Sequence, residues 1–176
     1  KVEIGTVIKQ DILENQAKCI FLGIGSNLGN KKKNIEIAKY KLIENDINIL
    51  RTSSFYESFS WPNKKNPKFL NVVLKIFTNY QPHKLLEICK KIEKELGRKR
   101  SSRNAPRLCD IDILDYKNEK LNNNLILPHP RMHNRSFVLL PLFEISKNWS
   151  HPVLNLHIKT LISSLSNRDI RSIKQI

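Results

Sequence analysis

The sequence predicts an α+β domain whose core runs β-α-β-β-α-β, the ferredoxin-like split βαβ order, with helices on both faces of the sheet in a three-layer α/β/α sandwich and an added helix near the C-terminus. Three observations predict it. A continuous apolar run, CIFLGIG at 19–25, suits a buried central strand. Two stretches with apolar residues at helical spacing are separated by strand-like segments. A second apolar strand, RLCDIDILDY at 107–116, closes the order and carries two carboxylates on one face.

Each element follows from its own residues. After SNLGN, residues 31–45 place Ile35, Ala38, Leu42 and Ile43 on one helix face. INILRTSSFYE, 47–57, reads as a strand, and the loop 58–68 with its two prolines separates it from the strand FLNVVLKIF, 69–77. A second helix follows Pro82, with Leu85, Cys89, Ile92 and Leu96 as its buried stripe and Gly97 as a natural C-terminal cap. Leu154, Ile158, Leu161, Ile162 and Leu165 predict the added C-terminal helix. Residues 1–18 read as an extension, either a short extra strand or the end of a fused upstream domain, and 19–176 as a single domain. The chain opens on Lys rather than Met, for which the expectation is either a piece of a longer product or a trimmed chain.

Composition bounds the function classes. With 176 residues, 40% hydrophobic and 27% charged, the chain can bury a sizeable core. No apolar run approaches the roughly 18 residues of a membrane span, so no membrane partner is expected. Cys19, Cys89 and Cys109 lack CxxC spacing, which argues against a zinc site or disulfide framework and fits a reducing cytoplasm. The net charge of +15 suits a partner that carries phosphates.

The carboxylates pose a chemical problem. Side chains alternate along a strand, so Asp110 and Asp112 share a face with Leu108 and Leu114, while Cys109, Ile111 and Ile113 point to the core. Two residues of rise put them roughly 6.6 Å apart at Cα. Like charges that close repel unless a cation intervenes or one takes up a proton, and magnesium favours few carboxylates together with phosphate oxygens. Arg98, Arg100, Arg103 and Arg107 stand just before the strand, and guanidinium forks match phosphate oxygens. In LPHPRMHNRSF, 127–137, His129 lies between two prolines and Arg135 precedes a helix start at Phe137. GIGSNLGN, 23–30, is neither a P-loop nor a GxGxxG, and its glycines read as permitting a tight strand end and close backbone approach.

FLGIGSNLGN, SSFYES, FLNVV, IEKELGR, PRLCDIDIL and LPHPRMHNRSFVLLPLFEI occur in this order. Together they make the chain resemble the 6-hydroxymethyl-7,8-dihydropterin pyrophosphokinases of folate biosynthesis, over about residues 20 to 165. The resemblance implies a cytoplasmic transferase that moves pyrophosphate from ATP to the pterin's hydroxymethyl oxygen and releases AMP. It implies two magnesium ions on Asp110 and Asp112, with Arg98 and Arg107 completing the catalytic set. ATP would be held by Glu93, Arg98, Arg100, Arg107, His129 and Arg135. The pterin would meet Asn71, stack between Phe69 and Phe137, and touch the backbone of Ser58, Phe59 and Trp61. Four departures stand out: Phe69 in place of a tyrosine, Lys90 in place of a glutamine, Asn124 in place of an arginine, and an arginine loop that lacks a tryptophan. Fusion or association with another folate enzyme is compatible with the family.

A basic ferredoxin-like module binding nucleic acid is the competing class. RNA-binding sheets of this order carry an aromatic signature on central strands. Paired aspartates stand here instead, so no nucleic-acid partner is expected. An inactive scaffold is the third reading, disfavoured because the metal and arginine positions are filled.

Overall fold

The computed structural model describes residues 19–60, 63–98 and 105–176; Trp61, Arg100, Arg103 and the 1–18 extension lie outside the described residues. The elements are β1 (Ile20–Ser26), α1 (Lys31–Glu44), β2 (Asn48–Thr52), β3 (Tyr56–Ser58), β4 (Phe69–Phe77), α2 (Pro82–Glu95) and β5 (Asp110–Tyr116). A short hairpin, β6 (Leu121–Asn122) and β7 (Ile126–Leu127), precedes a 3-10 turn at Met132–Asn134. Then come α3 (Ser136–Ile145), α4 (Ile158–Ser163), α5 (Asn167–Arg171) and β8 (Lys174–Gln175).

The main sheet runs β5-β1-β4-β3-β8, with β2 also paired to β4, and every pairing is antiparallel. This is the predicted ferredoxin-like order, with β2 and β3 sharing the place of one strand. The expected strand 47–57 is therefore two. Ser53 breaks it: its hydroxyl accepts the N–H of Val73 at 2.9 Å while its own N–H donates to the Val73 carbonyl, so a side chain takes over one ladder position.

Two apolar layers sandwich the sheet. On one face Ile20, Leu22, Ile24, Val72, Leu74, Ile111 and Ile113 meet the stripes of α1 (Ile35, Ala38, Leu42) and α2 (Leu85, Cys89, Ile92). Side chains buried this fully contribute about 1.5–3 kcal/mol each relative to exposure. Pro82 opens α2, where its missing N–H costs nothing, and Gly97 at φ 93° closes it. On the other face Phe21, Val73 and Leu114 pack against Val138, Leu139 and Leu142 of α3 and against Ile158 and Leu161 of α4. Leu114 reaches this layer by simple alternation with Asp112, and a register shift just beyond it lets Asp115 follow onto the same face: Leu22 pairs with Ile113 but Phe21 pairs with Asp115.

The C-terminal helix is shorter than predicted. Leu154 is exposed in a turn where Asn155 takes φ 55°, and α4 begins only after His157 caps it by accepting the Lys159 N–H on Nδ1. Apolar spacing there continued past a local backbone reversal. The consequence for function lies in how far α3 reaches. It covers the Val73 and Leu114 end of its face and leaves the other end, bearing Asn71, Gly25, Asp110 and Asp112, open.

Candidate active site

Register sets the site. Gly25 of β1 pairs on one side with Asn71 of β4 and on the other with Asp110 of β5, and Gly23 pairs with Asp112. Cross-strand partners point to the same face, so a row forms in which an amide and a carboxylate flank a residue with no side chain. A Cβ added at Gly25 would lie 3.2 Å from Asn71 Oδ1 and 3.3 Å from Phe69 Cδ1. The glycine thus keeps a slot open in mid-strand. The expectation that Gly25 ends the strand is corrected, since β1 continues to Ser26.

The aspartates carry different partners. Asp110 Oδ1 receives Arg98 Nη1 at 2.7 Å and Arg107 Nη1 at 3.4 Å. Asp112 Oδ2 faces His129 Nε2 at 4.0 Å and Arg135 Nη1 at 3.9 Å, and its side chain is 37% exposed. Two arginines therefore approach Asp110, and one arginine and an imidazole face Asp112, which offsets the like-charge repulsion. The open fronts of both carboxylates are hard oxygen donors and fit a magnesium ion that draws its other ligands from water and phosphate. Among the described residues no third His, Cys, Asp or Glu joins them as a ligand cluster.

His129 is held at the end of β5 by its N–H, which donates to the Leu114 carbonyl at 2.8 Å. Its Nδ1 accepts the Arg131 N–H at 3.2 Å, so in the neutral ring Nε2 carries the proton and points toward Asp112. Burial lowers the pKa of this imidazole, and the Asp112 charge opposes that shift.

Glu93, expected beside the nucleotide, is a buried residue of α2. It is 1% exposed; Oε1 accepts the Ile111 N–H at 2.7 Å, and Oε2 meets Arg98 Nη1 at 2.6 Å and Lys90 Nζ at 3.2 Å. It sits behind Arg98 and ties α2 to β5. Burial raises its pKa, countered by the Ile111 N–H and by Lys90.

On the other side of Gly25, Asn71 is buried and donates Nδ2 to the Tyr56 carbonyl at 3.1 Å and to Ser58 Oγ at 3.0 Å. Both amide protons are used, leaving Oδ1 turned to the slot as an acceptor. Ser58 thus contributes as a partner of Asn71. Arg107 lies 5.8 Å from the Phe69 ring centroid and Arg135 lies 5.4 Å from that of Phe137, so each aromatic stands beside one of the arginines that approach the aspartates. Phe59 is 42% exposed under Lys68 and Lys64, with its ring outside this row. Trp61 and Arg100 lie outside the described residues. One residue that sequence reasoning passed over is central: Asn27, read as part of a bland glycine loop, bonds to both sides of the site.

The family model for 7,8-dihydro-6-hydroxymethylpterin-pyrophosphokinase (HPPK) matches residues 21–147. The chain belongs to that family. It is 42% identical over 141 residues, 80% of this chain and 88% of the relative, to the 2-amino-4-hydroxy-6-hydroxymethyldihydropteridine pyrophosphokinase of Aquifex aeolicus. It is 39% identical over 165 residues, 93% of this chain, to a folic acid synthesis protein of Pneumocystis carinii, of which it spans only 22%. In fold it is similar to a wild-type Plasmodium falciparum HPPK-DHPS solved with pterin and p-hydroxybenzoate, with a TM-score of 0.70 and 17% identity over 90% of this chain and 46% of that one. The chain thus matches nearly all of some family members and a minor part of larger folate-synthesis proteins.

Proposed function

We propose that the chain transfers the pyrophosphoryl group of ATP to the hydroxymethyl oxygen of 6-hydroxymethyl-7,8-dihydropterin, giving AMP and the pterin diphosphate. The observation that carries this is the row Asn71, Gly25, Asp110 with Asp112 beside it: an acceptor for a heterocycle, a slot, and an anionic floor ringed by cations. The substrate oxygen attacks the β-phosphorus, the bond from that phosphorus to the α–β bridging oxygen breaks, and the bridging oxygen leaves on AMP.

Each side chain has a task in that reaction. Asn71 Oδ1 accepts from the pterin's amino edge, and Phe69 and Phe137 supply its stacking faces. The backbone of Ser58, Phe59 and Trp61 would touch the same edge of the pterin. Arg98 and Arg107, with Arg100 from the same loop, bind the phosphates from the β5 side, and His129 Nε2–H with Arg135 from the other. Glu93 fixes the direction of Arg98 instead of touching the nucleotide. Asp110 and Asp112 are the groups that would hold magnesium, two ions in our reading, which supplies charge neutralisation along the phosphates and a lowered pKa for the attacking hydroxyl.

Cys19, Cys89 and Cys109 are all buried, and Cys89 and Cys109 are free thiols, which supports a reducing compartment and our placement in the cytoplasm. Among the described residues no helix is long and apolar enough to cross a membrane. Several relatives are folate-synthesis proteins of greater length, so association with another folate enzyme is part of this reading.

The experiment is product analysis with ATP and 6-hydroxymethyl-7,8-dihydropterin, with and without magnesium. AMP that appears only with pterin and metal together supports the proposal. ADP would make the protein a simple kinase, and the absence of pterin-dependent turnover would refute it.

A further inference from the structure

Asn27 lies one residue beyond β1 and is 2% exposed. It makes four hydrogen bonds to two segments far away in sequence. Its N–H donates to the Arg107 carbonyl at 3.2 Å, and its Oδ1 accepts the Arg107 N–H at 2.8 Å. Its Nδ2 donates to Ser60 Oγ at 3.2 Å and to the Pro67 carbonyl at 3.2 Å. Ser60 Oγ in turn donates to the same Pro67 carbonyl at 2.5 Å. An amide has two donor hydrogens and one acceptor oxygen, and here both ends are engaged.

The two segments serve different substrates in the reading above. Arg107 sends its guanidinium to Asp110 and over Phe69, on the phosphate side. Ser60 and Pro67 are the two ends of a segment that continues directly from Ser58, the partner of Asn71, and leads into Phe69. If either segment shifted without the other, a buried donor or acceptor would lose its partner, at a cost comparable to a hydrogen bond or more. The segments are therefore constrained to move as one.

We infer that Asn27 is a positioning residue that couples the phosphate-side and pterin-side halves of the site. The inference rests on the pyrophosphokinase reading. Contacts that set Arg107 on bound phosphates set the Ser60 and Pro67 positions as well, and by linkage the pterin does the same for the nucleotide.

The test is calorimetric. Pterin affinity is measured with and without an ATP analogue carrying CH2 in place of the α–β bridging oxygen, so that no transfer occurs. In the wild type the analogue should tighten pterin binding by about fivefold or more, the lower end of ordinary coupling between sites. In Asn27→Ala the enhancement should fall to within about twofold, while binding of pterin alone changes less than the enhancement does. Ser60→Ala, which removes one buried hydroxyl and keeps the Asn27 amide, should reduce the enhancement in the same direction, and it serves if Asn27→Ala does not fold. A purely structural Asn27 would lower the melting temperature and leave the ratio as in the wild type, and that result overturns the inference. Absence of any enhancement in the wild type overturns it too. A wild type that binds no pterin and forms no AMP removes the pyrophosphokinase reading itself; one that turns over but keeps its enhancement in both variants sinks the coupling role alone.

Discussion

Arg98 Nη1 lies 2.7 Å from Asp110 Oδ1, and the same nitrogen lies 2.6 Å from Glu93 Oε2. One guanidinium nitrogen thus spans a buried carboxylate on α2 and a carboxylate on the open floor. The buried one directs the arginine, and the open one remains a hard oxygen donor for a cation. This divides the three charged groups by depth: Glu93 as anchor, Arg98 as reach, Asp110 as floor.

Glu93→Gln keeps an oxygen for the Ile111 N–H and removes the charge that anchors Arg98. Hydrogen bonds to charged groups are worth about 1.5–3 kcal/mol, so kcat/KM for ATP should fall by about tenfold or more. The pterin KM should stay as in the wild type. Burial raises the Glu93 pKa, so the wild type should also lose ATP affinity as pH falls through that raised value, while Glu93→Gln lacks this step. Equal pH profiles for the two proteins would remove Glu93 from the anchoring role.

Gly25→Ala tests the slot. The backbone at this position is strand-like and accepts any residue, so strain is not at issue. The new methyl would lie 3.2 Å from Asn71 Oδ1 and 3.3 Å from Phe69, close enough that one of them must yield. Overpacking of this kind costs about 1–3 kcal/mol, which should appear as a rise in pterin KM of about tenfold with ATP affinity little changed. If both substrates were affected equally, the slot would not belong to the pterin.

Local pattern revealed much of this architecture. β4 spans 69–77 as its alternation predicts, and the α2 stripe of Leu85, Cys89 and Ile92 is buried throughout. What escaped depends on distance or competition. The side chain of Ser53 outcompetes a ladder position, which no periodicity records. Apolar spacing from Leu154 overruns a turn at Asn155. Asn27 bonds to residues 33 and 80 positions away, so its place in GIGSNLGN looks bland until the strands are in register. Glu93 could be assigned by resemblance, but only burial shows it lies behind Arg98.

His129 titrates beside the Asp112 carboxylate. Burial lowers the His129 pKa and the Asp112 charge raises it, so the free protein should show an imidazole midpoint below 6.5 by NMR. Asp112→Asn should push that midpoint lower still, because the opposing charge is gone. Bound phosphates should raise it. In Asp112→Ala, magnesium-dependent AMP formation should drop by about 10²–10³ or more, the scale of losing a charge-stabilising group at a reacting centre. The fold should survive, since among the described residues the Asp112 carboxylate makes two long contacts near 4 Å and no short ion pair. Near-normal turnover would sink the metal assignment.

Asp115 offers a prediction away from the site. It is 1% exposed; Oδ2 accepts Trp149 Nε1–H at 2.7 Å and Oδ1 accepts the Asn118 N–H at 3.2 Å. Burial outweighs these bonds and raises its pKa from 3.8 to about 6. A carboxyl whose pKa is higher in the folded state binds its proton more tightly there, so its contribution to stability is full below 3.8 and is lost as pH rises through 6. Asp115→Asn does not titrate. The stability of the wild type minus that of Asp115→Asn should therefore decline by as much as about 3 kcal/mol between roughly pH 3.5 and pH 7. Urea unfolding followed by tryptophan fluorescence at several pH values measures it, and Trp149 is itself a reporter. A difference that stays constant with pH would mean Asp115 titrates alike in the folded and unfolded chain, and that its bonds to Trp149 and Asn118 fully compensate its burial.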